Sequence, residues 1–209
     1  MNKVLIAVVV VLLAACSREP AQPGIASDGP EAEQPRSEPR IARDTPVNPM
    51  PLGFELDYAN IEGVKSKLSG VAELEDRGTL ELTNGPLLAT TGTDLGVEGL
   101  KGATFAFNGS GTLEGVVLTF PRGPQHPGAT RKLAEQLGKK YQLVSKDFES
   151  FMDFGSFRFE QGDSWIVVES PHMSFEMTAT YGTKELFAAI DAANAASQKA
   201  SREKKEAIL

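Results

Sequence analysis

The chain has 209 residues, a formal net charge of −7 and a single cysteine. The acidic excess repels phosphate backbones, which argues against a nucleic-acid partner, and one cysteine excludes a disulfide within the chain. Its 11 Phe, 3 Tyr and 1 Trp all lie between residues 54 and 187. Because large apolar side chains build a core, we predict one globular domain over residues 53–194.

Residues 1–15 are typical of an export signal. Lys3 supplies a positive charge, and residues 4–13 form an unbroken apolar run. This run is shorter than the roughly 20 residues that a membrane-spanning helix needs. Leu-Ala-Ala at positions 13–15 then leads to Cys16, whose thiol can accept a lipid. Small residues at this point allow an extended peptide to enter a protease site.

This segment resembles the lipobox of bacterial lipoproteins, and the resemblance covers residues 1–16. It implies that the signal peptide, residues 1–15, is removed and that Cys16 becomes the acylated first residue. Ser17 in the second position implies, through the same resemblance, sorting to the outer membrane with the domain facing the periplasm. The membrane is thus an expected partner through lipid on Cys16, and several acyl chains would anchor the protein stably.

Residues 17–52 are rich in Pro, Glu, Ser and Arg and contain no aromatic residue. A segment of this composition buries too little apolar surface to offset the entropy that it would lose on ordering. We therefore predict that residues 16–52 comprise the lipidated cysteine and a disordered tether. Such a tether would let the domain stand clear of the membrane.

The first half of the domain is predicted to contain one helix and two hairpins. Asn60 is a candidate N-cap, and apolar residues at positions 61, 64 and 68 recur at helical spacing. Gly63 is expected to weaken this helix by about 1 kcal/mol. Phe105 and Phe107 alternate onto one strand face. Four strands are predicted in this half, joined by Asn/Gly turns: 79–83, 87–91, 103–108 and 115–120.

The second half begins with a proline-rich loop over residues 121–128, followed by a helix with apolar positions 129, 133, 137 and 141. Phe157 and Phe159 again alternate onto one face. A last helix is predicted from residue 183, which fades into a polar, frayed helical tail over residues 195–209. Four strands are predicted between these helices: 142–147, 156–160, 165–169 and 174–180.

This order predicts an α+β fold, with antiparallel sheet and two or three helices packed on one face. A helix followed by strands occurs twice in the predicted order, and the pattern around Phe105 and Phe107 is similar to that around Phe157 and Phe159. A tandem helix-plus-sheet duplication is therefore an alternative description of the domain. In element order alone, the domain resembles tandem domains of small secreted inhibitors and envelope lipoproteins.

Residues that could carry catalysis or bind a metal are few. The two histidines, His126 and His172, lie in proline-marked loops and are interpreted as exposed loop residues. No HxH, HExxH or CxxC spacing accompanies them. The chain also has no phosphate-binding loop and no nucleophile elbow. We therefore predict a protein that is not an enzyme, with no catalytic residue, no metal site and no cofactor.

An acidic and aromatic cluster near residue 150 is a candidate contact surface. Its carboxylates, Asp147, Glu149 and Asp153, are not spaced as in a calcium loop and are interpreted as a solvated strand edge. The aromatic rings are interpreted as core residues or, alternatively, as a patch that faces a partner. The candidate partner-facing residues are Phe148, Phe151, Phe154 and Trp165.

The sequence thus predicts a lipid-anchored envelope protein that acts as a binding or scaffold module. Its partner would be an unidentified envelope protein, held through a sheet face or a strand edge. The alternative is a carrier that binds a lipid or peptide in an apolar cleft between sheet and helices. Such a cleft would be lined by Phe105, Phe107, Phe157 or Phe159.

Overall fold

The computed structural model describes residues 38–93, 95–123, 125–149, 151 and 153–206, the last three of them by their backbone alone. The predicted signal peptide, Cys16, the tether up to residue 37 and residues 207–209 of the predicted tail lie outside this part. Among the described helices, none combines the length and the apolar character that crossing a membrane requires.

Three α-helices and eight β-strands follow one another in the described chain, in nearly the predicted order. They are α1 (Ile61–Leu68), β1 (Glu75–Leu80), β2 (Gly85–Thr91), β3 (Gly102–Phe107), β4 (Leu113–Pro121), α2 (Ala129–Gly138), β5 (Gln142–Glu149), β6 (Phe154–Gln161), β7 (Ser164–Ser170), β8 (Glu176–Thr183) and α3 (Lys184–Glu206).

All eight strands belong to one antiparallel sheet in the order β1-β2-β3-β4-β8-β7-β6-β5. Each half of the domain is a helix followed by a four-strand meander, and the two meanders join through their last strands, β4 and β8. The predicted α+β fold is confirmed. The resemblance of Phe105 and Phe107 to Phe157 and Phe159 does not follow this repeat, because β3 is the third strand of its meander and β6 is the second.

One face of the sheet carries the core. Phe105, Phe107 and Phe159 are almost completely buried there, and Phe157 is buried beside them, as predicted. The helices α1 and α2 cover this face, with Val64 of α1 and other apolar residues joining the same cluster. The helix α3 begins on the opposite face of the sheet. Two of the three helices, α1 and α2, therefore pack on the same face.

Each of the eight strands differs from its predicted bounds at one end or both, and two of these shifts are the most informative. β1 ends at Leu80 because residues 81–84 form the turn, in which Asn84 has a positive φ of 51°. β8 begins at Glu176, two residues later than predicted, and this leaves Phe175 exposed outside the sheet. Local alternation predicts strands well, but it does not show where backbone pairing stops.

The predicted N-cap of α1 is confirmed, since the Asn60 side chain accepts a hydrogen bond from the Gly63 amide (2.9 Å). The same side-chain oxygen accepts a bond from the Arg40 amide (2.8 Å). Although glycine lowers the helix propensity of α1, position 63 requires it, because a Cβ there would collide with the Arg40 carbonyl. The glycine lets residues near Arg40 lie directly against the helix.

Residues 38–52, which the sequence predicts as the last part of the tether, lie against the domain in the described structure. Asn48 is buried, and its side chain donates to the Leu56 carbonyl and accepts from the Asp163 amide. Glu55 accepts hydrogen bonds from the amides of Arg43 (3.0 Å) and Val47 (2.9 Å). Polar contacts therefore hold this segment on the domain together with Ile41 and Leu52, which pack against the core.

The C-terminal helix α3 packs on the sheet only through its beginning. Leu186 and Phe187 are buried, whereas residues 191–203 are exposed, except for half-buried Asn194. The helix continues to Glu206. The predicted helical tail is therefore the exposed continuation of α3.

Candidate functional site

Two surfaces of the domain qualify as candidate sites, and the first is an end of the sheet. The antiparallel order places the β4–α2, β5–β6 and β7–β8 connections at the same end. We call their described residues, which fall within 122–128, 151–153 and 171–175, the loop end. Four of the candidate residues from the sequence belong to this end: His126, Phe151, Asp153 and His172.

Arg122 ties two of these connections together. Its guanidinium Nη1 donates to the carbonyls of Pro171 (2.9 Å) and Ser174 (3.0 Å), and its amide donates to the Phe175 carbonyl (2.8 Å). Its Nε lies 3.8 Å from the Asp153 carboxylate, which also accepts from the Thr130 hydroxyl. This network fixes the β4–α2 loop beside the β7–β8 turn.

A cavity of about 450 Å³ opens at the loop end, and both histidines line it. His126 comes from the β4–α2 loop and His172 from the β7–β8 turn. The sequence predicted two separate exposed loop residues, and the exposure is confirmed. Their convergence on one cavity depends on the β4–β8 pairing, which no local pattern reveals. Asp153 lines the cavity too, whereas Asp147 does not.

Large apolar side chains are strongly exposed at the loop end: Phe151 by 94%, Met173 by 83% and Phe175 by 77%. Of the four candidate partner-facing residues, only Phe151 is exposed in this way. Phe154 is half-buried, with its ring 5.1 Å from the His172 ring. The interpretation of Phe151 and Phe154 as partner-facing stays a prediction.

The other two candidate residues pack within the domain. Phe148 is half-buried, with its ring 4.7 Å from that of Phe157. Trp165 is half-buried between the guanidinium of Arg158, 4.6 Å above the indole ring, and the ring of Phe187 at 5.7 Å. Much of the apolar surface of both side chains is therefore in contact with other residues of the domain.

The second candidate site is the sheet face opposite α1 and α2. We call it the open face. Strand register arranges its side chains in three rows that cross six strands. The first row is Thr91, Gly102, Thr119, Thr178, Glu169 and Ser156; the second is Ala89, Thr104, Val117, Thr180, Val167 and Arg158; the third is Leu87, Ala106, Gly115, Gly182, Trp165 and Glu160.

Only the third row is covered by a described element. Leu186 and Phe187 of α3 approach Gly115 and Gly182 so closely that a Cβ at either glycine would be 2.7 to 3.0 Å from them. Most side chains of the first two rows are half-buried among their neighbours and partly open to solvent. The uncovered strip is therefore shallow and lined by small residues, mostly Thr, Val, Ala and Ser.

Glu169 stands out within this strip. It is half-buried, and burial raises the pKa of its carboxyl to about 7. Among the described residues, none forms a hydrogen bond or an ion pair with it. The adjacent Thr178 hydroxyl is buried and likewise has no hydrogen-bond partner in the described chain. Buried polar groups in proteins nearly always have a hydrogen-bond partner. The described residues therefore leave the Glu169 carboxyl and the Thr178 hydroxyl without the partners that such groups usually have.

Sequence analysis missed Glu169, although a signal for it exists. Within the predicted strand 165–169, Trp165, Val167 and Glu169 alternate onto one face. A carboxylate that shares a face with an indole and a valine is out of place on a solvated surface. What the sequence could not supply is the neighbour, Thr178, because it comes from β8.

The ligand cleft between sheet and helices stays a prediction. Phe105, Phe107, Phe157 and Phe159 are buried. They line neither the cavity at the loop end nor a second one of about 540 Å³ beside residues 96–100. Within the described residues, no three His, Cys, Asp or Glu side chains are grouped so that they could hold a metal ion.

Comparisons with models of known protein families, with curated proteins and with solved structures find no match to this chain.

Proposed function

We propose that this chain is a lipid-anchored protein of the bacterial envelope whose domain holds a protein partner on its open face. The anchor is lipid on Cys16, and Ser17 favours the outer membrane with the domain on the periplasmic side. Both parts of the anchor rest on the lipobox resemblance of residues 1–16. The docking function rests on the open face.

The observation that carries the docking function is the unpaired carboxyl of Glu169. Burying a charge without a partner costs free energy, and its raised pKa of about 7 reflects this cost. A lysine or arginine from a partner would pair with the carboxylate, and a partner hydroxyl or amide would satisfy Thr178. The preferred partner therefore presents a cation between small or polar side chains.

The shape of the face suits a protein more than a small molecule. With strands about 4.8 Å apart and rows about 6.8 Å apart, the two uncovered rows extend over about 29 by 14 Å. This strip of about 400 Å² is half of what one side of an ordinary protein interface covers. A protein partner would therefore also contact the exposed part of α3, which begins on the same face.

Photo-crosslinking in the cells that make the protein tests this function. We expect a photoreactive residue at position 180, in the second row, to give a discrete crosslinked product. The same group at Glu135, which is exposed on α2, should give none. Glu169→Lys should abolish the product, because it opposes the expected partner cation, and Glu169→Gln should weaken it.

The thermal midpoint of each Glu169 variant is the control, since a variant that unfolds would lose the product trivially. A folded Glu169→Lys variant that crosslinks as well as the parent would contradict a role for this carboxylate. Equal products from positions 180 and 135 would show that the open face is not a specific surface.

A further inference from the structure

The chain contains two histidines, and the fold brings both to the cavity at the loop end. Met173, which follows His172, lines the same cavity. Neither imidazole forms a hydrogen bond with the described residues. Two imidazoles and one thioether thus border one cavity, and the described contact of either imidazole ring is that of His172 with the edge of the Phe154 ring, which leaves the ring nitrogens without a partner among the described residues.

Met173 occupies an unfavourable backbone position. It lies in the turn that the Ser174 amide closes by donating to the Pro171 carbonyl (3.2 Å), and its φ is 61°. A turn position with positive φ favours glycine or asparagine, and another residue there costs about 1–3 kcal/mol. The long thioether side chain is also 83% exposed. Local stability therefore does not account for a methionine at this position.

The charge around the cavity is compatible with a cation. Arg122 lines the cavity, but its guanidinium is committed to two carbonyls and to the Asp153 carboxylate. That carboxylate balances the arginine charge. The same contacts fix the loop of His126 against the turn of His172 and Met173, so the potential ligands are held on neighbouring segments.

We propose that His126, His172 and Met173 bind one soft monovalent metal ion, Cu(I), in the cavity at the loop end. Cu(I) accepts two or three ligands and favours imidazole nitrogen and thioether sulfur. A structural zinc site instead needs four ligands, usually thiolates and imidazoles. The described residues group no three His, Cys, Asp or Glu side chains for such a site. The ligand set therefore selects the soft ion.

Silver nitrate is the probe, because Ag(I) has the ligand preference of Cu(I) and does not change oxidation state. The full chain should carry Cys16→Ser, so that a free thiol cannot compete. We expect one equivalent of Ag(I) to bind and to shift the Met173 methyl resonance and the imidazole resonances of His126 and His172. Substituting either histidine by Ala should weaken binding by about tenfold or more, and Met173→Leu by a few fold.

Phe175→Leu is the matched control, since Phe175 lines the same cavity without offering a ligand atom. Its affinity for Ag(I) should remain within about twofold of the parent value. Unchanged binding in the two histidine variants would overturn the site. Unshifted resonances of Met173 in a chain that binds Ag(I) would also overturn it, and so would Zn(II) binding as tightly as Ag(I).

Discussion

At the residue scale, Glu55 shows how one buried carboxylate organises a segment. Its side chain is completely buried, and it accepts hydrogen bonds from the amides of Arg43 and Val47 and, at 3.4 Å, of Asn48. Burial by itself would raise the pKa of this carboxyl. The three backbone donors and the positive charge of Arg43 outweigh burial, so the pKa lies below its ordinary value of 4.5.

We predict that Glu55→Gln lowers the free energy of unfolding by about 1–3 kcal/mol at pH 7, because the amide cannot accept all these bonds. Since the folded pKa is lowered, the carboxylate contributes its full stability above pH 4.5, and this contribution is lost as the pH falls through the folded pKa. Urea unfolding at pH 7 and at about pH 3 should show the difference between parent and variant shrinking at the lower pH.

The exposed Glu135, on α2, provides the control. Glu135→Gln should leave the free energy of unfolding within about 0.5 kcal/mol of the parent at either pH. An equal loss from Glu55→Gln at both pH values would mean that the amide is disruptive for a reason other than charge.

The sequence predicts single residues well where the reason for them is local. Asn60 as a helix cap and Phe105 and Phe159 as core residues all follow from spacing within a few positions. Glu169 and the histidine pair depend on partners that come from distant parts of the chain. Their environments cannot be derived from residue type, and only the pairing of strands brings them about.

At the scale of elements, residues 38–52 behave as part of the domain. Asn48 bonds to two residues that are far apart in the sequence, Leu56 and Asp163. The Asn60 side chain donates to the Glu38 carbonyl and accepts from the Arg40 amide. These bonds add to the apolar contacts of Ile41 and Leu52, which pack against the core.

We predict that a chain beginning at residue 53 is less stable than one beginning at residue 38 by at least about 3 kcal/mol. The shorter chain leaves the buried Glu55 carboxylate without its amide donors, and an uncompensated buried charge is costly. Denaturant unfolding of the two chains measures the difference. Coincident midpoints would show that the segment contributes nothing to stability.

The same segment shows why composition misled the sequence prediction. A segment rich in proline with no aromatic residue offers little surface to bury, and this is usually a sound reason to predict disorder. Here the domain supplies the acceptors, Glu55 and Asn60, and the segment supplies backbone amides, which every sequence has. Amino-acid composition gives no information about hydrogen bonds that backbone amides form.

At the scale of the whole molecule, the lipid anchor remains a prediction from sequence. Mass spectrometry of protein from a bacterial membrane fraction should find a mature N-terminus at Cys16 that carries acyl mass. Cys16→Ser should leave the signal peptide uncleaved by the lipoprotein peptidase. A native soluble protein beginning at another residue would contradict the anchor.

The architecture was predictable to the level of its hairpins. Asn84 and Gly85, like the turn around residue 110, signal local reversals between alternating strands. The pairing of β4 with β8 and the position of α3 on the opposite face were not predictable, because they join parts of the chain that are far apart. Both candidate surfaces depend on that pairing.

The pairing of β4 with β8 also bears on how the protein assembles. Every other strand contact in the sheet joins strands that follow one another in the chain, so loop-closure entropy is concentrated at this one seam. A molecule opened there would expose two long strand edges that already match each other in register. The pairing of β4 with β8 can then form between two molecules, so that each completes its sheet with one half of the other. Exchange of halves is therefore the expected form of misassembly.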